Sequence, residues 1–408
     1  MKFDLHLRSS VREQIEQITA QMKSREETPR LEKSEEEVIR KRIRPFSHTI
    51  QREKLFVGAV SASGDFPSVC YGDSFIYLTT AQPVLYTVDT VSKLREVESS
   101  AQPVTLFTLL PEDETLRNQA FDEAFSRLVG LPVVEVIERS DYRSIKARES
   151  RKTVNTEVLL RELIRPQAGD AGNIAIQLRN SGELGIALRL IEKEEQLNYV
   201  LLDGTLSLPS VTLPTGSLFH EHLKRLCCVK ARKRRIGFIA VSTSLGIPWI
   251  ELLEKIAREE LSVGQGAQAE HWYLRLPVPS VDSWQFSLTK NRKLPPAGAI
   301  SYLVRFHRVS PLMRLDLDVA YWQEFVRGIS EQETKHNERK LFEDLDYLSH
   351  DQRSYGTPYP LHSVNQRVAL TKAERISLRQ QIIDAAVKAG MKRSLFRESP
   401  GLASPIQE

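Results

Sequence analysis

The sequence predicts a mixed α/β protein, a sheet with helices on its faces. Three observations predict it. The segments from residue 55 to 110 are β-branched and aromatic and are separated by Gly, Asp, Pro and Ser turns, which reads as a group of antiparallel strands. Further along, amphipathic stretches with helical spacing alternate with short apolar runs. One run, Tyr199-Val200-Leu201-Leu202, stops at Asp203-Gly204-Thr205. A buried strand delivers a carboxylate to its carboxyl end in this way, with Gly letting the backbone turn behind it. The plainer reading of these residues is a strand followed by an Asp-Gly turn.

Residues 8–43 are rich in Glu, Lys and Arg and read as an exposed helical arm broken near Thr28-Pro29. The arm is assigned to residues 1–48, a main domain with helical insertions to 49–392 and a flexible tail to 393–408. Strands are expected at 55–60, 68–71, 74–78, 84–88 and 103–110. Helices follow at 112–129, 153–164 and 173–196, the last leading into the strand that ends at Asp203. Next come a helix at 220–229, a strand at 235–241 and a helix at 248–260. Strands at 271–276, 299–308 and 312–317 precede helices at 319–329 and 331–348, a Pro-containing loop and a last helix at 371–389.

With 41% hydrophobic and 27% charged residues, the 408-residue chain has the composition of an ordinary globular protein with a sizeable core. No apolar run reaches the length of a membrane span, about 18 residues. Met1-Lys2-Phe3-Asp4-Leu5 lacks the order of a signal peptide. Three cysteines, Cys70, Cys227 and Cys228, make no disulfide framework, and a cytoplasmic setting is expected. Net charge of +4 is too small to point to a partner, but Lys230, Arg232, Lys233, Arg234 and Arg235 are concentrated in one segment. They read either as DNA-phosphate contacts or as a solvated helix face, and Arg40, Lys41, Arg42 and Arg44 read the same two ways.

No phosphate-binding Gly-x-x-x-x-Gly-Lys-Ser/Thr loop, no Gly-x-Gly-x-x-Gly and no Gly-x-Ser-x-Gly elbow is present. His220-Glu221-His222 places its histidines two apart, on different faces of a helix, unlike the four-residue spacing of a zinc helix. What remains is carboxylate chemistry around Asp203. Magnesium and manganese take oxygen ligands from separate elements, and nucleases use such ions to activate water. The helix before Asp203 offers Glu183, Glu192, Glu194 and Glu195, and its periodicity leaves both Glu183 and Glu192 open as the second carboxylate.

Four segments fall in a suggestive order: Val60-Ser61-Ala62-Ser63, then Ser181-Gly182-Glu183 opening an amphipathic stretch, then Leu201-Leu202-Asp203-Gly204-Thr205-Leu206, then Gly356-Thr357-Pro358-Tyr359-Pro360-Leu361-His362-Ser363-Val364-Asn365-Gln366-Arg367. In this order the chain resembles the NurA nuclease family between residues 50 and 390. The resemblance implies a ribonuclease H-like mixed sheet, action on DNA ends with manganese or magnesium, a HerA-like hexameric ATPase as partner, and a homodimer. It implies Asp203 and Glu183 as catalytic, metal-binding carboxylates.

Three positions and one lysine depart from that pattern. Ser61 stands where the family has its first metal carboxylate, Thr357 where it has Tyr, and Asn365 where it has His. Ser242-Thr243-Ser244 replace a segment that usually carries a lysine. Serine brings no charge to a metal, and asparagine does no acid–base work. Asp65 or Asp73 are candidates to fill the first position, and His362 to replace the lost His. The expectation is a NurA-like DNA-end-processing protein of repair or defence with weakened or absent nuclease activity. An active manganese-dependent exo- or endonuclease with displaced ligands, and an unrelated soluble α/β binding protein, are the alternatives.

Overall fold

A computed structural model of the chain describes residues 5–25, 32–64, 68–88, 93–141, 171–206, 218–243, 250–264, 271–277, 298–307, 310–351, 353–354 and 356–397. The expected helix at 153–164, and Asp65, lie outside the described residues. The described strands are β1 (Ile43–Pro45), β2 (Phe56–Ser63), β3 (Val69–Tyr71), β4 (Ser74–Val88), β5 (Leu94–Val97), β6 (Val104–Leu110), β7 (Tyr199–Asp203), β8 (Gly237–Ser242), β9 (Trp272–Arg275), β10 (Ala299–Arg305), β11 (Met313–Asp318) and β12 (Phe396–Arg397). The described helices are α1 (Leu5–Arg25), α2 (Lys33–Arg40), α3 (Glu114–Val129), α4 (Val133–Arg139), α5 (Ala171–Lys193), α6 (Leu218–Lys233), α7 (Ile250–Gly264), α8 (Glu331–Ser349), α9 (Tyr359–Val368) and α10 (Lys372–Lys388).

All twelve strands join one mixed sheet. Its centre is β2, with β4 antiparallel on one side and β6 antiparallel beyond it. On the other side β7 and then β8 run parallel to β2. The order β6-β4-β2-β7-β8 is the ribonuclease H-like arrangement. Antiparallel β11, β10, β9 and β1 extend the sheet past β8.

Alternation along the strands divides the core. Val60, Val200 and Leu202 face one layer with α3, α5 and α6, which supply Phe125, Leu184, Leu190 and Phe219. Val57, Ala59, Leu201 and Ile239 face a second layer with α8 and α9, which supply Phe342, Leu345, Leu361 and Val364. Each such side chain stabilises the fold by about 1.5–3 kcal/mol on burial. A third cluster packs Ile39 of α2 and Leu253 and Ile256 of α7 over Trp272, Leu274 and Leu303. Gly58 sets the approach of α5, because a Cβ there would lie 2.4 Å from Leu190 Cδ2.

The expected strands at 74–78 and 84–88 are one strand, β4, running through Pro83. The sheet tolerates proline there because β6 pairs residues 75–81 and β5 pairs 85–88, leaving Pro83 paired only with Val60 of β2. The expected Pro-containing loop holds α9. Pro358 caps it and Pro360 sits in its first turn, where no intrahelical N–H is needed. The expected helix at 319–329 is a short helical turn followed by a π-helical turn, Trp322–Val326. Of the expected arm, α1 is exposed, whereas α2 packs on α7 and β1 pairs with β9. Of the expected tail, Phe396 and Arg397 pair with Tyr71 and Cys70.

Candidate functional site at the ends of the central strands

β7 carries Asp203 to its carboxyl end, where the residue is exposed after three buried ones. Gly204 takes φ +140°, a conformation that L side chains rarely adopt, and its N–H bonds Val241 O at 3.1 Å. The following loop is fixed from an unexpected direction. Asp316 of β11, 1% exposed, accepts from Leu206 N at 3.2 Å and from the Thr205 hydroxyl. Its carboxylate is held in turn by Arg314 Nε at 2.8 Å, Arg314 Nη2 at 3.0 Å and Ser301 Oγ at 2.7 Å. Sequence reading passed over this group. The signal was Arg314-Leu315-Asp316, two opposite charges two apart on one face of a strand.

Ser61 lies beside Asp203. The register pairs Val60 with Leu202, so the next step places these two side by side on the face that Ala59 and Leu201 share. Ser61 is 6% exposed. On the same face α9 brings Asn365, whose side-chain amide donates to Asp203 Oδ2 at 3.2 Å. Thr357 stands before α9, with its N–H on Ser354 O. His362 pairs with Gln366 at 2.9 Å, one helical turn on. Asp73 sits at the tip of the β3–β4 hairpin, far along β4 from Gln82, the residue opposite Ser61.

Glu183 comes from α5 on the other face of the sheet. Burial pushes its carboxyl up to about 8; the Asp203 charge adds to the rise and Arg179, one turn earlier on α5, opposes it. Glu183 and Asp203 therefore share one electrostatic environment. Glu192 does not: it pairs with Lys230 at 2.6 Å. Glu194 accepts from Ser100 N and Oγ, both at 2.7 Å.

Two carboxylates suit one hard divalent ion, which keeps most of its waters and takes one or two protein carboxylates. Among the described residues, no group of three His, Cys, Asp or Glu ligand atoms close enough for one ion includes Glu183 or Asp203. Glu183 and Asp203 each offer one carboxylate to such an ion.

The basic run lies elsewhere. It closes α6 and leads into Gly237, which pairs with Tyr199 at the opposite end of β7 from Asp203. Lys230 pairs with Glu192, Arg232 lies 3.9 Å from both Asp318 and Glu324, and Arg234 bonds the Ile191 carbonyl. Lys233 and Arg235 are exposed, and Arg235 takes φ +58°. His220 and His222 tie helices together. His220 Nε2 lies 3.0 Å from Ser181 Oγ and from Gln177 O, and burial pushes its pKa down to about 4. His222 Nδ1 meets Ser140 Oγ at 2.6 Å.

No helix among the described residues is long and apolar enough to cross a membrane. No protein-family model matches the chain, and no curated protein matches it. Among solved structures, the NurA nuclease from Sulfolobus solfataricus aligns with 96% of this chain and 99% of its own, at TM-score 0.48 and 10% identity. A structure of NurA with manganese covers 94% and 99%, at TM-score 0.36 and 11% identity. The Bacillus subtilis endonuclease V covers 87% and 92%, at TM-score 0.31 and 8% identity. These alignments span nearly the whole chain at 8–11% identity.

Proposed function

We propose that this protein is a NurA-like DNA-end-processing protein whose own hydrolytic centre is weakened, working with a HerA-type hexameric translocase in DNA repair or defence. One observation carries the reading. Asp203 and Glu183 reach the carboxyl ends of the central strands from two different elements, and Ser61 occupies the place beside Asp203 where a further carboxylate would stand. The motor partner and a homodimer rest on the sequence resemblance.

A NurA structure with manganese exists among the relatives, and Asp203 and Glu183 are the residues that would hold such an ion here. When bound, the ion supplies activation of water and stabilisation of the leaving oxygen. The chain's own part is positional. Asp316 anchors the loop behind Asp203, and α5 packs on β2 through Gly58 to hold Glu183 in place. Asn365 donates to Asp203 and neutralises part of its charge without offering a proton acceptor as His does. Ser61 leaves the centre one negative charge short, which lowers cation affinity. Lys233 and Arg235 are the exposed members of the basic run and are the phosphate contacts in this reading.

Purified protein incubated with single- and double-stranded DNA and manganese is expected to cut little while still binding DNA. Efficient manganese-dependent cutting that disappears in Asp203→Ala overturns the weakened-centre reading. It would favour the active nuclease, for which Glu183 and Asp203 together would suffice.

A further inference from the structure

A second group of ligand-type side chains lies away from Asp203. Asp346, on the last turns of α8, has no exposed side-chain surface. Four of the chain's nine histidines gather around it: His48, His271, His307 and His350. His48 Nδ1 lies 3.0 Å from Asp346 Oδ2, His350 Nε2 lies 2.8 Å from Oδ1, and His271 Nδ1 lies 3.3 Å from Oδ1. Ligand atoms of His48, Asp346 and His350 all fall within 4.8 Å of one another. The His307 ring stands 6.3 Å from that of His271 and 6.2 Å from that of His350, on the rim of the group.

We propose that His48, His271, His350 and Asp346 form a binding site for one transition-metal ion of the zinc class. Three independent elements converge here: the segment after β1, the start of β9 and the end of α8. Asp346 on α8 and His350, the residue that caps it, are four apart, the spacing that brings two ligands to one side of a helix end. Zinc bound by imidazole nitrogen and carboxylate oxygen at 2.0–2.2 Å in tetrahedral geometry has ligand atoms about 3.3 Å apart. The distances of 2.8, 3.0 and 3.3 Å to Asp346 already lie close to that spacing. Imidazole-rich sets select zinc and its neighbours, whereas magnesium, calcium and manganese take all-oxygen sets. The group is buried on the Asp346 side and open at His48, whose side chain is 40% exposed, so an ion has a way in.

The site would clip the N-terminal segment to the sheet. Thr49 N–H already bonds Asp346 Oδ2 at 2.7 Å, and Phe46 stacks on Phe342 with ring centroids 5.8 Å apart. A bound ion would add a cross-link between residues separated by 298 positions. The role is structural and does not depend on the reading of Asp203.

The test uses the untagged full-length protein, stripped with a chelator and titrated with cobalt(II). Ligand-field absorption of tetrahedral cobalt is expected to grow to one ion per chain, and zinc is expected to displace it. Losing an outer-sphere partner costs 10–100-fold in metal affinity, so losing a direct ligand is expected to cost at least about 100-fold. His48→Gln, at a half-exposed position, and His350→Gln are both expected to show that loss. Asp203→Asn is expected to keep the cobalt spectrum unchanged, which separates this site from the strand-end centre. Absence of a tetrahedral cobalt spectrum, or equal affinity in His48→Gln, overturns the proposal. So does a spectrum lost in Asp203→Asn and kept in His48→Gln.

Discussion

Asn365 donates its side-chain amide to Asp203 Oδ2 across 3.2 Å, so a helix of the second core layer touches the carboxylate at the end of β7. The amide gives this exposed carboxylate one protein donor. Asn365→Asp replaces the donor with a like charge. The variant is expected to lose about 1 kcal/mol of stability in metal-free buffer, a Coulomb cost across exposed, water-rich surroundings. It should recover that loss on adding manganese. Thermal unfolding with and without manganese measures both.

Ser61→Asp puts a carboxylate beside Asp203 at a position only 6% exposed. Desolvation and like charge are expected to destabilise the metal-free protein by about 2–3 kcal/mol. Manganese affinity is expected to rise at least about tenfold, equivalent to 1.4 kcal/mol. Calorimetric titration reads the affinity, and a DNA-cleavage assay reads whether hydrolysis rises with it.

Glu183 gives a pH dependence with a definite sign. Its folded pKa, about 8, lies above the ordinary 4.5, so the native state holds the extra proton between those values. Stability from the protonated form is fully present below about pH 4.5 and is lost as pH rises through about 8. Discounted for its partial exposure, the loss is on the order of 2–4 kcal/mol. Glu183→Gln is expected to flatten this slope, as urea unfolding at pH 5, 7 and 9 would read. Manganese binding to the parent is expected to tighten over the same window, since the ion takes the ionised carboxylate.

Lys233 and Arg235 test the DNA face. If both meet phosphates, replacing both with Ala lowers the slope of log affinity against log salt by about 2. Fluorescence anisotropy with a labelled duplex at several salt concentrations gives that slope. An unchanged slope assigns the run to a solvated edge.

Asp316→Asn removes the buried charge that the Arg314 guanidinium grips with two hydrogen bonds. The expected cost is about 3–5 kcal/mol, as for other broken buried pairs. Loop residues 204–206 should lose amide-exchange protection more than β2 does, because Leu206 N–H and the Thr205 hydroxyl both rest on Asp316.

The sequence reading located the sheet well, because strand alternation and the Asp203-Gly204 break are local signals. Asp203 ends its strand as the apolar run before it predicts, and of the two glutamates left open Glu192 meets Lys230 while Glu183 feels the Asp203 charge. The helix α9 is hidden in the sequence because Pro358 and Pro360, which signal a loop, here start a helix. Lys230 to Arg235 read as one patch, although chain direction puts them at the far end of the strands from Asp203. The histidines around Asp346 were invisible as a group because they lie up to 302 residues apart, and only the Asp346–His350 spacing was legible.

The anchoring of the loop behind Asp203 by Asp316 separates two things that metal centres usually combine. Asp316 belongs to β11, outside the five-strand ribonuclease H-like core, and its bonds need no ion. The loop keeps this anchor whichever residues stand at positions 61 and 365. Substitutions at Ser61 or Asn365 therefore change the charge beside Asp203 without removing that anchor.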